Sequence, residues 1–353
     1  MTEGALCLTT SSRWAAALER VPHDVYHRPE YVAFDAEYAR GTAAAYCYES
    51  GGHVLLIPLV LRPIPGTGSL DASSPYGYPA PVSDTDDPRF WADAVSGLVP
   101  ALREAGAVSC FVRLHPLLPA VRDALATVGP VEYHGDTVSI DLRLAEEDAW
   151  HLVRANHRRQ INRARREGRR VVIGDWSYLT AFTTIYLETM RRVCATEYYF
   201  FPPSYFARLR EAAGDRIHLA VALDGDEPIA GAVVFEDSGI VQYHLGGTRS
   251  DRLGEQPSKL LIHEVGRWAR ERGNTAFHLG SGVGGRDNPL FHFKAGFSPL
   301  RHPFHTWRVI ADPDRYRQLT EATGGGGDYF PAYRALEAQR PVLHPERRAP
   351  EKV

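Results

Sequence analysis

IHLAVALDGDEPIAGAVVFEDSGIVQYHL, residues 217–245, decides the fold. IHLAVAL and PIAGAVVFE are short β-branched runs joined by Asp224-Gly225-Asp226-Glu227, a hairpin signal. A second tight turn at Asp237-Ser238-Gly239 leads into GIVQYHL, so three antiparallel strands are expected. Next, Pro257 sits where the first turn of a helix tolerates it, Leu261, Val265 and Trp268 recur at helical spacing, and Gly273 supplies the stop. TAFHLG then reads as a buried strand, laid parallel to GIVQYHL by a right-handed crossover through that helix. A short helix from Pro289 to Lys294 and a last strand, FHTWRVI, complete a β-β-β-α-β-α-β unit from Ile217 to Ile310.

Working outward, the N-terminal half repeats this grammar. TAAAYCYES and HVLLIPLVLRP form a hairpin across Gly51-Gly52, WADAVSGLVPALREAG follows as a helix, and AVSCFVRLHP as a strand. A helix over Pro119 to Thr127 and a strand at VSIDLRL close the copy. Between the halves, Trp150 to Arg170 carries a helical stripe of Trp150, Val153, Ile161 and Ala164 beneath an arginine-rich face. After Arg315 the pattern fades into Gly324 to Gly327 and a Pro/Arg/Glu tail. The expected division is therefore residues 1–145, residues 146–312 with the arginine-rich entry helix, and a loosely docked, partly disordered tail over 313–353.

At 353 residues with 44% hydrophobic content, the chain can fill two ordinary cores. Cys7, Cys47, Cys110 and Cys194 stand far apart, with no CxxC pair and no Cys/His spacing suited to a metal, which predicts reduced thiols and no metal site. MTEGALCLTTSSRW lacks a basic segment followed by an apolar one, and no stretch approaches the length of a membrane span, so a cytoplasmic protein is expected. The formal net charge of −3 argues against a generic polyanion binder. Lys259, Lys294 and Lys352 are the only lysines among 40 basic residues, which makes each of them more informative.

Three segments together resemble the FemABX enzymes and related GNAT-type peptidyltransferases: SPYGYPAP (74–81), RANHRRQINRARREG (154–168) and HLGSGVGGRDNPLFHFKAGFSP (278–299). The β-β-β-α-β-α-β order is similar to the GNAT arrangement, whose crossover splays the fourth and fifth strands to open a cleft for an acyl donor. The resemblance covers roughly residues 20 to 312. It implies an α/β (α+β) fold of two tandem GNAT-like domains, each a mixed, mostly antiparallel sheet flanked by helices. It also implies an aminoacyltransferase that forms an amide bond from aminoacyl-tRNA and an amine acceptor, with no cofactor. The acceptor would be a peptidoglycan precursor or a peptide or nucleoside natural-product intermediate.

In that family the lysine of the FKxGF element lies beside the reacting carbonyl, and the matching residue is Lys294. The resemblance gives it oxyanion stabilisation as its role; a surface lysine or structural ion pair is the competing reading. Asp287, seven residues earlier in a Gly-rich loop, is the second catalytic candidate, with His244, His278 and His292 as further groups suited to relaying a proton. For each of them a satisfied structural hydrogen bond is the favoured reading, and no dedicated base stands out. Tyr76 and Tyr78, set between Pro75 and Pro79, are substrate-binding candidates or domain-packing residues. Tyr243, Phe293 and Phe297 complete that set. YYFFPPSYF (198–206) reads as core between the domains.

Arg154, Arg158, Arg159, Arg163, Arg165 and Arg166 form the candidate tRNA or phosphate surface, extended by Arg169 and Arg170 and opposed only by Glu167. A solvated helical face is the plain alternative. No heptad segment is present to build the helical arm of long cell-wall members. CoA-dependent GNAT enzymes carry a [QR]xxGx[GA] turn before the main helix; here residues 247–257 hold Asp251, Glu255 and Pro257 instead, which disfavours a tight diphosphate cradle. An acyl-CoA N-acyltransferase acting on an amino sugar or other amine remains the first alternative, and a catalytically silent module that binds nucleic acid through its arginines the second.

Overall fold

The computed structural model describes residues 4–335. Each hairpin in the sequence closes across two residues: Ser50 faces His53, Asp224 faces Glu227 and Asp237 faces Ile240. The first half runs β1 (Ala5–Leu8), α1 (Ser12–Leu18), α2 (Pro29–Tyr38), β2 (Thr42–Ser50), β3 (His53–Pro63), β4 (Leu70–Ser73), β5 (Val82–Ser83), α3 (Pro88–Ser96), α4 (Leu98–Glu104), β6 (Ala107–Arg113), α5 (Arg122–Ala126) and β7 (Val131–Asp141). The second runs α6 (Glu146–Leu152), α7 (Ala155–Arg166), β8 (Arg170–Ile173), α8 (Leu179–Arg192), α9 (Pro203–Ala213), β9 (Ile217–Asp224), β10 (Glu227–Asp237) and β11 (Ile240–Thr248). It closes with α10 (Pro257–Glu271), β12 (Ala276–Gly280), α11 (Pro289–Lys294), β13 (Arg301–Ile310) and α12 (Pro313–Thr323).

The two units are not separate sheets. Strand order is β1-β2-β3-β4-β6-β13-β7-β12-β11-β10-β9-β8, with β5 beside β3. In each half a meander is followed by a crossover to a parallel strand, β6 beside β4 and β12 beside β11. The last strand of each half is then exchanged: β13 pairs with β6 of the first half, and β7 pairs with β12 of the second. A boundary near residue 145 thus divides the chain but not the sheet. Pairing across the exchange also removes the free edges that the splayed fourth and fifth strands of each unit would expose.

Three local expectations are corrected. WADAVSGLVPALREAG breaks into α3 and α4 at Gly97, where a Cβ would lie 2.6 Å from the Tyr46 hydroxyl. The stretch from Trp150 to Arg170 breaks at Val153 and Arg154, both extended, because the Arg154 N–H leaves the helix to bond Gly296 O at 2.8 Å; Arg170 opens β8. Past Arg315 the chain is docked through residue 335: α12 buries Leu319, Tyr333 is buried with its hydroxyl 2.8 Å from Ser109 Oγ, and Arg334 pairs with the buried Asp71. The expectation of disorder further on concerns residues 336–353, outside the described range.

One core lies between α3, α4, α5 and the first half of the sheet, and another under α10. A further core is aromatic and bridges the halves, joining Tyr26, Tyr31 and Phe34 to Phe182, Tyr186, Phe201, Tyr205 and Phe206. Of the segment 198–206, Phe201, Tyr205 and Phe206 are core, whereas Tyr198, Pro202, Pro203 and Ser204 are exposed. A bidentate Arg28–Asp237 pair ties the start of α2 to the β10–β11 turn.

Candidate active site

Lys294 is the last residue of α11, a one-turn helix started by Pro289 and capped by the Asn288 side chain, which accepts from Leu290 N and Phe291 N. Although cationic it is buried, and its Nζ donates to Ser281 O at 2.7 Å and lies 6.0 Å from the centre of the Tyr243 ring. No carboxylate pairs with it among the described residues, and burial lowers its pKa to about 8. Gly280, at the end of β12 with φ +76°, leaves space in front of it: a Cβ there would lie 3.4 Å from Lys294 Nζ and 3.1 Å from the Tyr78 hydroxyl. An ammonium from the second half and a phenol from the first thus converge on one point.

The SPYGYPAP loop crosses from the first half over β11 and β12. Tyr76 packs on His244 (ring centres 5.4 Å apart) and Tyr78 on His278 (4.8 Å), so alternate loop residues cover neighbouring strands. The loop is anchored by Tyr31, whose hydroxyl donates to Tyr76 O at 2.7 Å, and by Asp35, whose carboxylate accepts Tyr76 N at 3.1 Å. Burial raises Asp35 to about 6. Tyr198 and Tyr199 flank Tyr76 at 5.9 and 6.2 Å.

Beneath these rings lies a polar cluster of which sequence reasoning named only His278. Asp24 and His115 come from the first half, Gln242 and His278 from the second, and Asp24 Oδ2 is 3.0 Å from His115 Nε2 and 2.8 Å from Gln242 Nε2. Gln242 Oε1 is 2.7 Å from His278 Nδ1, and His27 Nδ1 is 3.1 Å from Asp24 Oδ1. The available signal was a lone glutamine inside GIVQYHL, at a position that the strand pattern turns inward, and a histidine next to the last residue of AVSCFVRLHP.

Other candidates lie elsewhere. The Asp287 side chain is 72% exposed and pairs with His292 at the surface, which separates it from the buried Lys294. Phe297 is 1% exposed in the core under α10, and Phe293 packs with it against His157. His157 lies 2.9 Å from Phe293 O and so close to Gly296 that a Cβ there would sit 2.3 Å from its Nε2. The aromatic and glycine positions of FKAGF therefore dock α7 on α11, and these two phenylalanines are packing residues.

The arginines divide into two groups. Arg163 pairs with Glu167, Arg165 with Glu264, Arg169 with Glu167 and Glu255, and Arg170 with Asp226, so several carboxylates besides Glu167 oppose them. Arg158 donates to His151 O. Arg154, Arg159 and Arg166 have no ion pair among the described residues, and Arg159 and Arg166 line an open recess together with the paired Arg163 and with Asn156, Gln160 and Asn162. Before α10, Arg249 and Arg252 are engaged by Glu227, Asp251 and Glu255.

Residues 152–294 match the acetyltransferase (GNAT) domain family. A search of curated proteins finds no match to the sequence. Among solved structures the chain is similar to FemX, with TM-score 0.69 and 13% identity over 89% of this chain and 99% of that one. It is similar to L-PGS from Bacillus licheniformis, with TM-score 0.54 and 15% identity over 86% and 93%. A tandem GNAT protein from the clavulanic acid biosynthesis pathway gives TM-score 0.50 and 15% identity over 89% and 99%. No helix among the described residues is long and apolar enough to cross a membrane. The chain has a FemABX-like fold of two tandem GNAT-like units.

Proposed function

We propose that the protein is an acyltransferase that joins an aminoacyl group from aminoacyl-tRNA to an amine, with Lys294 stabilising the oxyanion. The observation that carries this reading is a buried ammonium without a carboxylate partner, facing the Tyr78 phenol across the bare face of Gly280. Holding an unpaired cation inside is costly, and it is useful where negative charge develops during reaction. The amine nitrogen attacks the ester carbonyl, the C–N bond forms and the C–O bond to the ribose breaks. One proton passes from the amine to the departing oxygen. Charge on the carbonyl oxygen is met by the ammonium, a contribution of about 2.7–4 kcal/mol for a single oxyanion donor.

Two features support tRNA as the donor. The turn before α10 is lined with carboxylates already paired to Arg249 and Arg252, which disfavours a diphosphate there. The unpaired Arg154, Arg159 and Arg166 offer guanidinium groups to a phosphate backbone. Tyr76, Tyr78 and Tyr243 line the acceptor side in this account, and Asp287 has no role. A second reading, an acyl-CoA donor, is favoured by the acetyltransferase domain match over residues 152–294.

The test mixes the protein with pooled radiolabelled aminoacyl-tRNAs and candidate amines, among them peptidoglycan precursor peptides and small peptides, and follows label leaving the tRNA. Acceptor-dependent release of one amino acid is expected. Turnover of acetyl-CoA with no release from any tRNA would replace this reading with the second.

A further inference from the structure

The cluster beneath the tyrosines fixes where its hydrogens are. Asp24 is fully buried, which alone would raise its pKa, but the His115 and His27 rings outweigh burial and hold it well below the usual carboxylate range. An ionised carboxylate only accepts hydrogen bonds. The Gln242 atom 2.8 Å from Asp24 Oδ2 is therefore the amide nitrogen, and the carbonyl oxygen is turned to His278. His115 agrees with this assignment: its Nδ1 accepts from Leu117 N and Leu118 N, which leaves Nε2–H to donate to Asp24. Since Gln242 Oε1 can only accept, His278 Nδ1 carries the hydrogen, and Nε2 of a neutral ring holds a lone pair.

The ring is neutral because burial, with the nearby Lys294 adding to it, pushes its pKa well below the ordinary value. His278 Nε2 is buried and has no hydrogen-bond partner among the described residues. A bare buried acceptor is costly, so a ligand hydrogen at Nε2 would recover that loss. The place is the right one: His278 lies two residues before Gly280, and one residue, Tyr78, packs its ring on His278 and brings its hydroxyl to the point facing Lys294.

We infer that His278 Nε2 accepts a hydrogen bond from the attacking amine and directs its lone pair at the carbonyl, with Gln242 and Asp24 as positioning residues that fix the tautomer. This rests on the amine-acylation reading but is independent of the donor. As the C–N bond forms, the amine proton passes to Nε2. As the C–O or C–S bond to the donor breaks, the same proton passes to the departing oxygen or sulfur, and His278 ends neutral as it began.

The first test needs no substrate. Long-range proton–nitrogen NMR of the full chain with labelled histidine, the His278 signals being identified by their loss in His278→Gln, is expected to show Nδ1 protonated and Nε2 bare. A hydrogen on Nε2, or a doubly protonated ring at neutral pH, overturns the proposal. The second test uses glycinamide as the amine probe, with pooled aminoacyl-tRNA and separately acetyl-CoA as donors. His278→Asn, which lacks an acceptor at the Nε2 position, is expected to lower kcat about 100-fold at unchanged donor KM. His278→Gln, whose amide oxygen reaches that position, should recover at least tenfold of it. Wild-type kcat in His278→Asn, or equal losses in the two variants, removes His278 from the reaction whichever donor works. Transfer from acetyl-CoA alone, with the stated tautomer and the Asn/Gln split intact, would support His278 and count only against tRNA as donor.

Discussion

Tyr78 and Lys294 reach the same point from opposite halves of the chain: a Cβ built on Gly280 would lie 3.1 Å from the Tyr78 hydroxyl and 3.4 Å from Lys294 Nζ. The exchange of β7 and β13 between the halves makes this meeting possible, because it brings the first-half loop across β11 and β12. Gly280→Ala should therefore lower transfer at least tenfold by occupying that point. Its φ of +76° adds backbone strain of about 1–2 kcal/mol for a residue with a side chain. Steady-state rates and denaturant unfolding separate the two effects, and Tyr78→Phe, which removes only the hydroxyl, should lower the rate with little loss of stability.

Lys294 gives a pH signature. Burial lowers its pKa to about 8, against about 10.4 for an unperturbed lysine. The folded chain sheds this proton first, so the cost of the buried ammonium is present in full below about pH 8 and fades as pH rises toward the unfolded value. Lys294→Met should raise stability at pH 7 by on the order of 2 kcal/mol while abolishing transfer. In the wild type, the part of the rate that depends on the ammonium should fall as pH rises through about 8. Lys294→Arg, which stays charged, should move that fall to higher pH.

Asp35 acts with the opposite sign. Its folded pKa of about 6 lies above the unperturbed carboxylate value near 3.9, so the folded chain takes up a proton that the unfolded chain still lacks. Its contribution to stability improves as pH falls from 7 through 6 and is fully gained below the unfolded value. Asp24, held low, works against it on acidification, which is why the comparison is between wild type and Asp35→Asn. The variant should be more stable at pH 7, by on the order of 2 kcal/mol, with the difference vanishing near pH 4. Urea unfolding at a series of pH values checks this.

The arginines make a separable prediction. Reversing Arg154, Arg159 and Arg166 to Glu should weaken tRNA binding and reduce its salt slope by roughly one for each phosphate that is no longer neutralised. Reversing Arg163 and Arg165, already paired to Glu167 and Glu264, should do less to affinity. Filter binding across salt concentrations distinguishes the two sets.

Hairpins, α10 and α11 were legible because their signals are local: two-residue turns, a proline at the first helical position and apolar periodicity. The strand exchange was not, since β7 and β13 carry no mark of which neighbour they will meet, and β7 begins with Val131, Glu132 and Tyr133, none of them buried, which hides the start of its pairing. The break at Val153 depends on Gly296, far along the chain on the other side of β8 to β12. Within FKAGF the motif located Lys294, whereas the packing role of Phe293 and Phe297 follows from His157 on another helix. Asp24, His115 and Gln242 lie in three separate strands and loops, and only folding shows them to be hydrogen-bonded to one another.

The most direct measurement is the single-turnover rate of acyl transfer in Lys294→Ala against wild type, with donor affinity measured in parallel. A rate lower by about 10²–10³-fold is expected, the usual cost of losing one oxyanion donor, at donor affinity within twofold of wild type. A wild-type rate in the variant would contradict it and leave the buried lysine a structural residue.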